Sequence, residues 1–180
     1  MIKIQTFGKH MALTSYDTAP LGADILNPLN FIQDIFAAND WPFERCDEDE
    51  LLAEMEGRWS VYRFSFLWRD DTQTLSFACV VDLEAPIKKP AYLYELTSRI
   101  NERLWLGHFE VLLEDPSFSY RYTLPILPGS TGVVDQIGEI IDIIFMECDR
   151  FYPAFLFVAS GAKRPVEALV ASVADVQGEA

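Results

Sequence analysis

Two runs of period-two alternation, three residues apart, dominate the chain. Between Arg58 and Arg69, Tyr62, Phe64, Phe66 and Trp68 fall on one side of an extended backbone, with Arg63 and Ser65 on the other. After Asp70-Asp71-Thr72, Leu75, Phe77, Cys79, Val81 and Leu83 alternate against Ser76, Ala78 and Asp82. Successive strand side chains point to opposite faces, so this pattern specifies half-buried strands and not a helix. The short connection predicts an antiparallel hairpin, because a parallel pair needs a crossover of a dozen or more residues.

The flanking sequence extends that sheet. Phe43–Cys46 reads as a short strand and Asp47–Glu50 as a solvated turn. Leu51, Ala53 and Met55 then alternate with Leu52, Glu54 and Glu56. Further on, Phe109, Val111 and Leu113 share a face, as do Phe118, Tyr120, Tyr122 and Leu124. His108, Glu110, Glu114, Ser117, Ser119 and Arg121 occupy the opposite face, which predicts a sheet apolar on one side and wet on the other. Helical spacing appears three times. Leu29, Ile32, Ile35 and Phe36 follow Asn27-Pro28, an N-cap and first-turn proline, and this helix ends near Asn39. Leu93, Leu96, Ile100 and Leu104 follow Pro90, with Gly107 as the stop. The last helix begins near Gly132 or Val133, capped by Ser130 or Thr131, and reaches at least Tyr152, where Pro153 ends or kinks it. The order α-β-β-β-β-α-β-β-α is that of an α+β fold, an antiparallel β-sheet with flanking helices. One domain is expected over 25–161, between a loose N-terminal arm over 1–24, in which Met11 is an alternative start, and a frayed tail over 162–180. Within that tail Val166–Val173 can add a helical turn or two.

On a wheel at 100° per residue, Val134, Ile137, Ile140, Ile141, Ile144, Phe145, Cys148, Phe151 and Tyr152 cover an arc of roughly 140°, with Ile143 and Met146 outside it. A surface helix needs only about 100°. The excess predicts an interface on this helix, carried by Ile140, Ile143, Ile144, Met146 and Phe151, with a second copy of the chain as the expected partner. Asp135, Asp142 and Asp149 recur every seven residues, about 10 Å apart, too far to share one ion, and read as a solvated acidic face.

The chain carries 14 Lys+Arg against 28 Asp+Glu, a net charge of −14. That balance argues against nucleic acid, whose phosphates reward clustered cations, and against anionic membrane surfaces. Cys46, Cys79 and Cys148 are too few and too widely spaced for a disulfide scaffold, and two of them fall in apolar patterns, as buried free thiols do. The opening MIKIQTFGKH lacks the apolar segment of a secretion signal, so a cytoplasmic protein is expected. Of the two histidines, His10 lies in the loose arm and His108 on a polar strand face near Glu110. With no nucleophile signature and no clustered Cys or His, the residues predict neither catalysis nor a metal nor a cofactor. Gly129-Ser130-Thr131-Gly132 lacks the lysine of a phosphate-binding loop and reads as a turn with a helix cap.

The segment RINERLWLGHFEVLLEDPSFSYRYTLPI resembles the middle of YbjN-domain proteins, a family described as "putative bacterial sensory transduction regulators". Asn101, Gly107, Phe109, Arg121 and Tyr122 carry the match, and the element order fits over about 27–160. The resemblance implies a fold like that of type III secretion chaperones, usually homodimeric, and brings no catalytic residues with it. The expected function is therefore a non-enzymatic module that binds a polypeptide partner. Two alternatives stand beside it: an adaptor subunit of a larger assembly, and a small-ligand domain with a sheet–helix cleft holding His108, Glu110 and Arg121.

Overall fold

The computed structural model describes residues 27–83, 85–112, 116–127 and 130–177, so the expected N-terminal arm, with Met11 and His10, lies outside them. The elements are α1 (Leu29–Ala38), β1 (Phe43–Arg45), β2 (Glu50–Glu56), β3 (Val61–Arg69), β4 (Thr74–Asp82), α2 (Pro90–Asn101), β5 (His108–Leu112), β6 (Ser117–Pro125), α3 (Val133–Ala159) and α4 (Pro165–Gln177). All six strands form one antiparallel sheet in the order β1-β2-β3-β4-β6-β5. The expected α+β class and the order of its first nine elements are those observed. The β3–β4 hairpin is in the register its alternation requires, with Phe66 opposite Phe77 and Ser65 opposite Ala78.

The helices gather on one face of the sheet. Leu51, Ala53 and Met55 of β2, Tyr62, Phe64, Phe66 and Trp68 of β3, and Leu75, Phe77, Cys79 and Val81 of β4 all point into this core and are buried. α1 supplies Leu29, Ile32, Ile35 and Phe36, the four residues its spacing predicts, and Asn27 Oδ1 accepts the Leu29 N–H at 3.0 Å as the helix begins. α3 crosses the centre. The Phe155 ring stacks on Phe118 at 4.2 Å, and Phe151 and Phe155 both meet Phe109 edge-on or tilted. Aromatic pairs of this geometry add about 0.5–1.5 kcal/mol beyond the area they bury. Cys79 and Cys148 are buried free thiols in the same core.

Several expectations are corrected. The segment beyond Gly161 is not a frayed tail: residues 165–177 form α4, which packs on α3 and α2 and buries Ala168 and Leu169. α3 runs on through Pro153 to Ala159, because the aromatic packing on either side outweighs the roughly 3 kcal/mol that a mid-helix proline costs. Neither Ser130 nor Thr131 caps it; Gly132 stands at the N-cap in the left-handed region, with no side-chain cap. α2 stops at Asn101, before Leu104 and Gly107. Ser117 and Ser119, assigned to the wet face, are buried, since small side chains on β6 are shadowed by β4 and β5 on either side.

Asp149 is also not on a solvated face. A helix drifts about 20° per heptad against a seven-residue repeat, so the third aspartate of the series rotates to the edge of the apolar stripe. There its Oδ1 accepts the Tyr62 hydroxyl at 2.7 Å and the Arg58 N–H at 2.8 Å, tying the β2–β3 turn to α3. Gly57 permits this approach, because a Cβ there would lie 2.1 Å from the Tyr62 ring.

The residues of the family-like motif have physical tasks. The Asn101 amide bonds to both backbone groups of Phe109, accepting its N–H at 2.8 Å and donating to its C=O at 3.1 Å. Gly107 takes a positive φ of 62° directly over the Tyr120 ring, where a Cβ would be 2.4 Å away. Asn101→Ala leaves both Phe109 groups unpaired and is expected to cost about 1–3 kcal/mol, read from the urea midpoint. Glu147 on α3 has a buried Oε2 with no hydrogen bond and only Arg150 Nη1 at 3.8 Å. Burial pushes its carboxyl above the ordinary glutamate range, against the smaller downward pull of Arg150. A raised folded-state value means that ionised Glu147 detracts from stability at neutral pH, an effect that fades as pH falls to the unfolded value. Glu147→Gln is therefore expected to raise the urea midpoint at pH 7, with the gain shrinking towards about pH 4.

Candidate interaction surface

Because the four helices lie on one side, the described residues leave the other face of the sheet open. The register lays its residues out in rows. One row runs Glu54, Arg63, Val80, Ser119, Glu110; the next runs Glu44, Leu52, Ser65, Ala78, Arg121, His108. Its middle is made of small side chains, and its apolar members Leu52, Val61 and Leu112 are 40%, 43% and 41% exposed. A face of this kind lets another backbone approach closely, as in sheet-on-sheet packing at about 10 Å.

Two shallow hollows open on this side, one of about 520 Å³ around Pro42, Leu52, Ser65 and Val80, the other of about 550 Å³ around Glu56, Trp59, Val61 and Asp82. Arg63 borders both. Its guanidinium grips Asp82 with two hydrogen bonds, Nη1 to Oδ2 at 2.6 Å and Nη2 to Oδ1 at 2.7 Å, forming a ridge between the hollows. Those bonds hold the Asp82 carboxyl below its ordinary range, more than partial desolvation lifts it. Both partners are about half exposed, so solvent screens the pair and its net worth is small.

At the β5–β6 end, Glu110 bridges His108 and Arg121: Oε1 lies 3.3 Å from His108 Nε2 and Oε2 lies 3.4 Å from Arg121 Nη1. The three residues proposed for a sheet–helix cleft do come together. They do so on the open face, away from the helices, and they line neither hollow.

The residues expected at an interface on the last helix are divided. Ile140, Ile144 and Phe151 are buried in the chain's own core, Ile143 is half-buried, and Met146 is 66% exposed. The wide apolar arc arises because α3 is bracketed by the sheet and by α1, α2 and α4, so partners within the chain take up most of it. The open face was missed as an apolar surface, although its signal was present: Val61, Leu67 and Val80 stand at outward positions of β3 and β4. Among the described residues no three His, Cys, Asp or Glu side chains converge as a metal site, and no helix is long and apolar enough to cross a membrane.

The family model YbjN, described as "Putative bacterial sensory transduction regulator", matches residues 28–157, from the start of α1 into α3 and short of α4. The crystal structure of YbjN from E. coli, called there "a putative transcription regulator", is similar at 13% identity over 74% of this chain and 91% of that chain, with a TM-score of 0.46. No curated protein matches the chain. Asp82→Asn is expected to cost no more than about 1 kcal/mol at pH 7. Because the folded carboxyl titrates low, its contribution is present above the ordinary aspartate value and is lost as pH falls, so the two urea midpoints should converge in acid.

Proposed function

The chain belongs to the YbjN family, and from that premise we propose that it is a non-enzymatic, cytoplasmic regulatory module that binds polypeptides and acts as a homodimer joined through its open sheet face. The observation that carries this reading is the face that the described residues leave uncovered, with small side chains at its centre and partly exposed aliphatic ones around them. Its layout admits a second copy. Glu44 and Glu54 mark the β1–β2 end, and His108 and Arg121 the β5–β6 end. A dyad running along the strands lays the β1–β2 end of each copy over the β5–β6 end of the other, with the small central side chains face to face, as a self-complementary interface requires. The non-enzymatic reading draws support from the His108–Glu110–Arg121 group, whose charges are spent on one another at an exposed surface.

Sedimentation equilibrium of the full chain tests this. The expected mass is twice the 20.5 kDa of one chain. Ala78→Arg, at the centre of the open face, should return the monomer mass with the far-ultraviolet circular dichroism unchanged. Met146→Asp, on the outer side of α3, should leave the dimer intact. A monomeric wild type, or a dimer lost with Met146→Asp and kept with Ala78→Arg, would overturn the proposal.

A further inference from the structure

In a chain of net charge −14, the cations are not evenly spread. All three lysines among the described residues, Lys88, Lys89 and Lys163, meet with Arg164 where the segment before α2 touches the α3–α4 turn. The Lys88 N–H donates to Ala159 C=O at 3.1 Å, and a Cβ on Gly161 would stand 3.4 Å from the Lys88 side chain. Beside this junction lies a polar hollow of about 220 Å³ lined by Lys89, Tyr92, Lys163, Arg164 and Glu167 next to Gly161 and Ala162.

We infer that this hollow is a binding site for a dianionic phosphoryl group, free or at the end of a small phosphoester. Three cations line it against one acid, and the Glu167 carboxylate accepts the Arg164 N–H at 3.2 Å. Among the described residues none of the four cations is in a side-chain ion pair. Two are held in place: the Lys89 ammonium lies 4.9 Å from the Tyr92 ring centre and that of Lys163 lies 4.7 Å from Phe157. Gathering like charges costs Coulomb energy that a bound anion repays. The backbone adds to this. α2 begins here, at Pro90, with neither a side-chain cap nor an acid in its first turn, so its positive end is uncompensated, whereas Glu167 already answers that of α4. The volume is below that of typical small-molecule pockets and suits one anionic group rather than a whole nucleotide. A guanidinium fork and two ammonium groups match the several oxygens of a phosphoryl group better than the two of a carboxylate.

The full chain is titrated by calorimetry with inorganic phosphate, with phenyl phosphate and with acetate, at constant ionic strength. Saturable one-to-one binding of phosphate or phenyl phosphate, and none of acetate, is the expected result. Phenyl phosphate binding tighter than phosphate marks an ester as the source of the group, and the reverse order marks the free ion. The double variant K163Q/R164Q should weaken binding at least tenfold, K89Q should weaken it less, and Arg103→Gln, away from the hollow, should leave it unchanged. The inference fails if phosphate gives no saturable heat in the wild type, if acetate binds equally well, or if K89Q and K163Q/R164Q both bind like the wild type. The oligomeric state of the open face has no bearing on these outcomes.

Discussion

Every element of this protein is arranged by one burial problem, the apolar side of a six-stranded sheet. The aromatic side chains of β3, β5 and β6 are too large to be covered by a single short helix. α3 meets them with its own aromatics, Phe145 against Tyr62 and Phe151 and Phe155 against Phe109 and Phe118. Burying a phenylalanine contributes on the order of 1.5–3 kcal/mol, and this seam contains many of them. Once α3 is fixed across the sheet, α1 fills the space beside β2 and β3, while α2 and α4 close the far flank. Side chains are thus committed inward to such a degree that none of the described helices covers the opposite face.

Much of this was legible in the sequence, because the period of a strand is strict. The inward residues of β2, β3 and β4 are those that alternation assigns, and the four buried residues of α1 are those of its helical spacing. Helical wheels were less informative about partners. A broad apolar arc says how much of α3 is covered but not by what, and α4, whose Ala168 and Leu169 complete the packing, has a pattern too weak to announce a helix. Asp149 shows a second limit. Its spacing from Asp142 suggests a shared exposed line, yet the angular drift along 27 residues of helix brings it against Tyr62 and the Arg58 amide.

The open face and the basic hollow were hidden for different reasons. Outward strand positions such as Ser65, Ala78 and Val80 look ordinary one at a time; only the register places them side by side. Lys88-Lys89 and Lys163-Arg164 are separated by more than seventy residues and converge only because α4 folds back on α2 and α3. Chemistry that depends on long-range placement is not written in local periodicity.

The Asn101 side chain has an effect on the size of the sheet. By occupying both outward backbone groups of Phe109, it does for β5 what a seventh strand would do, and then offers no further groups to pair. At the other border, β1 is only three residues long, which leaves little edge for another strand to join. Borders as short or as partly blocked as these make a poor template for lateral growth.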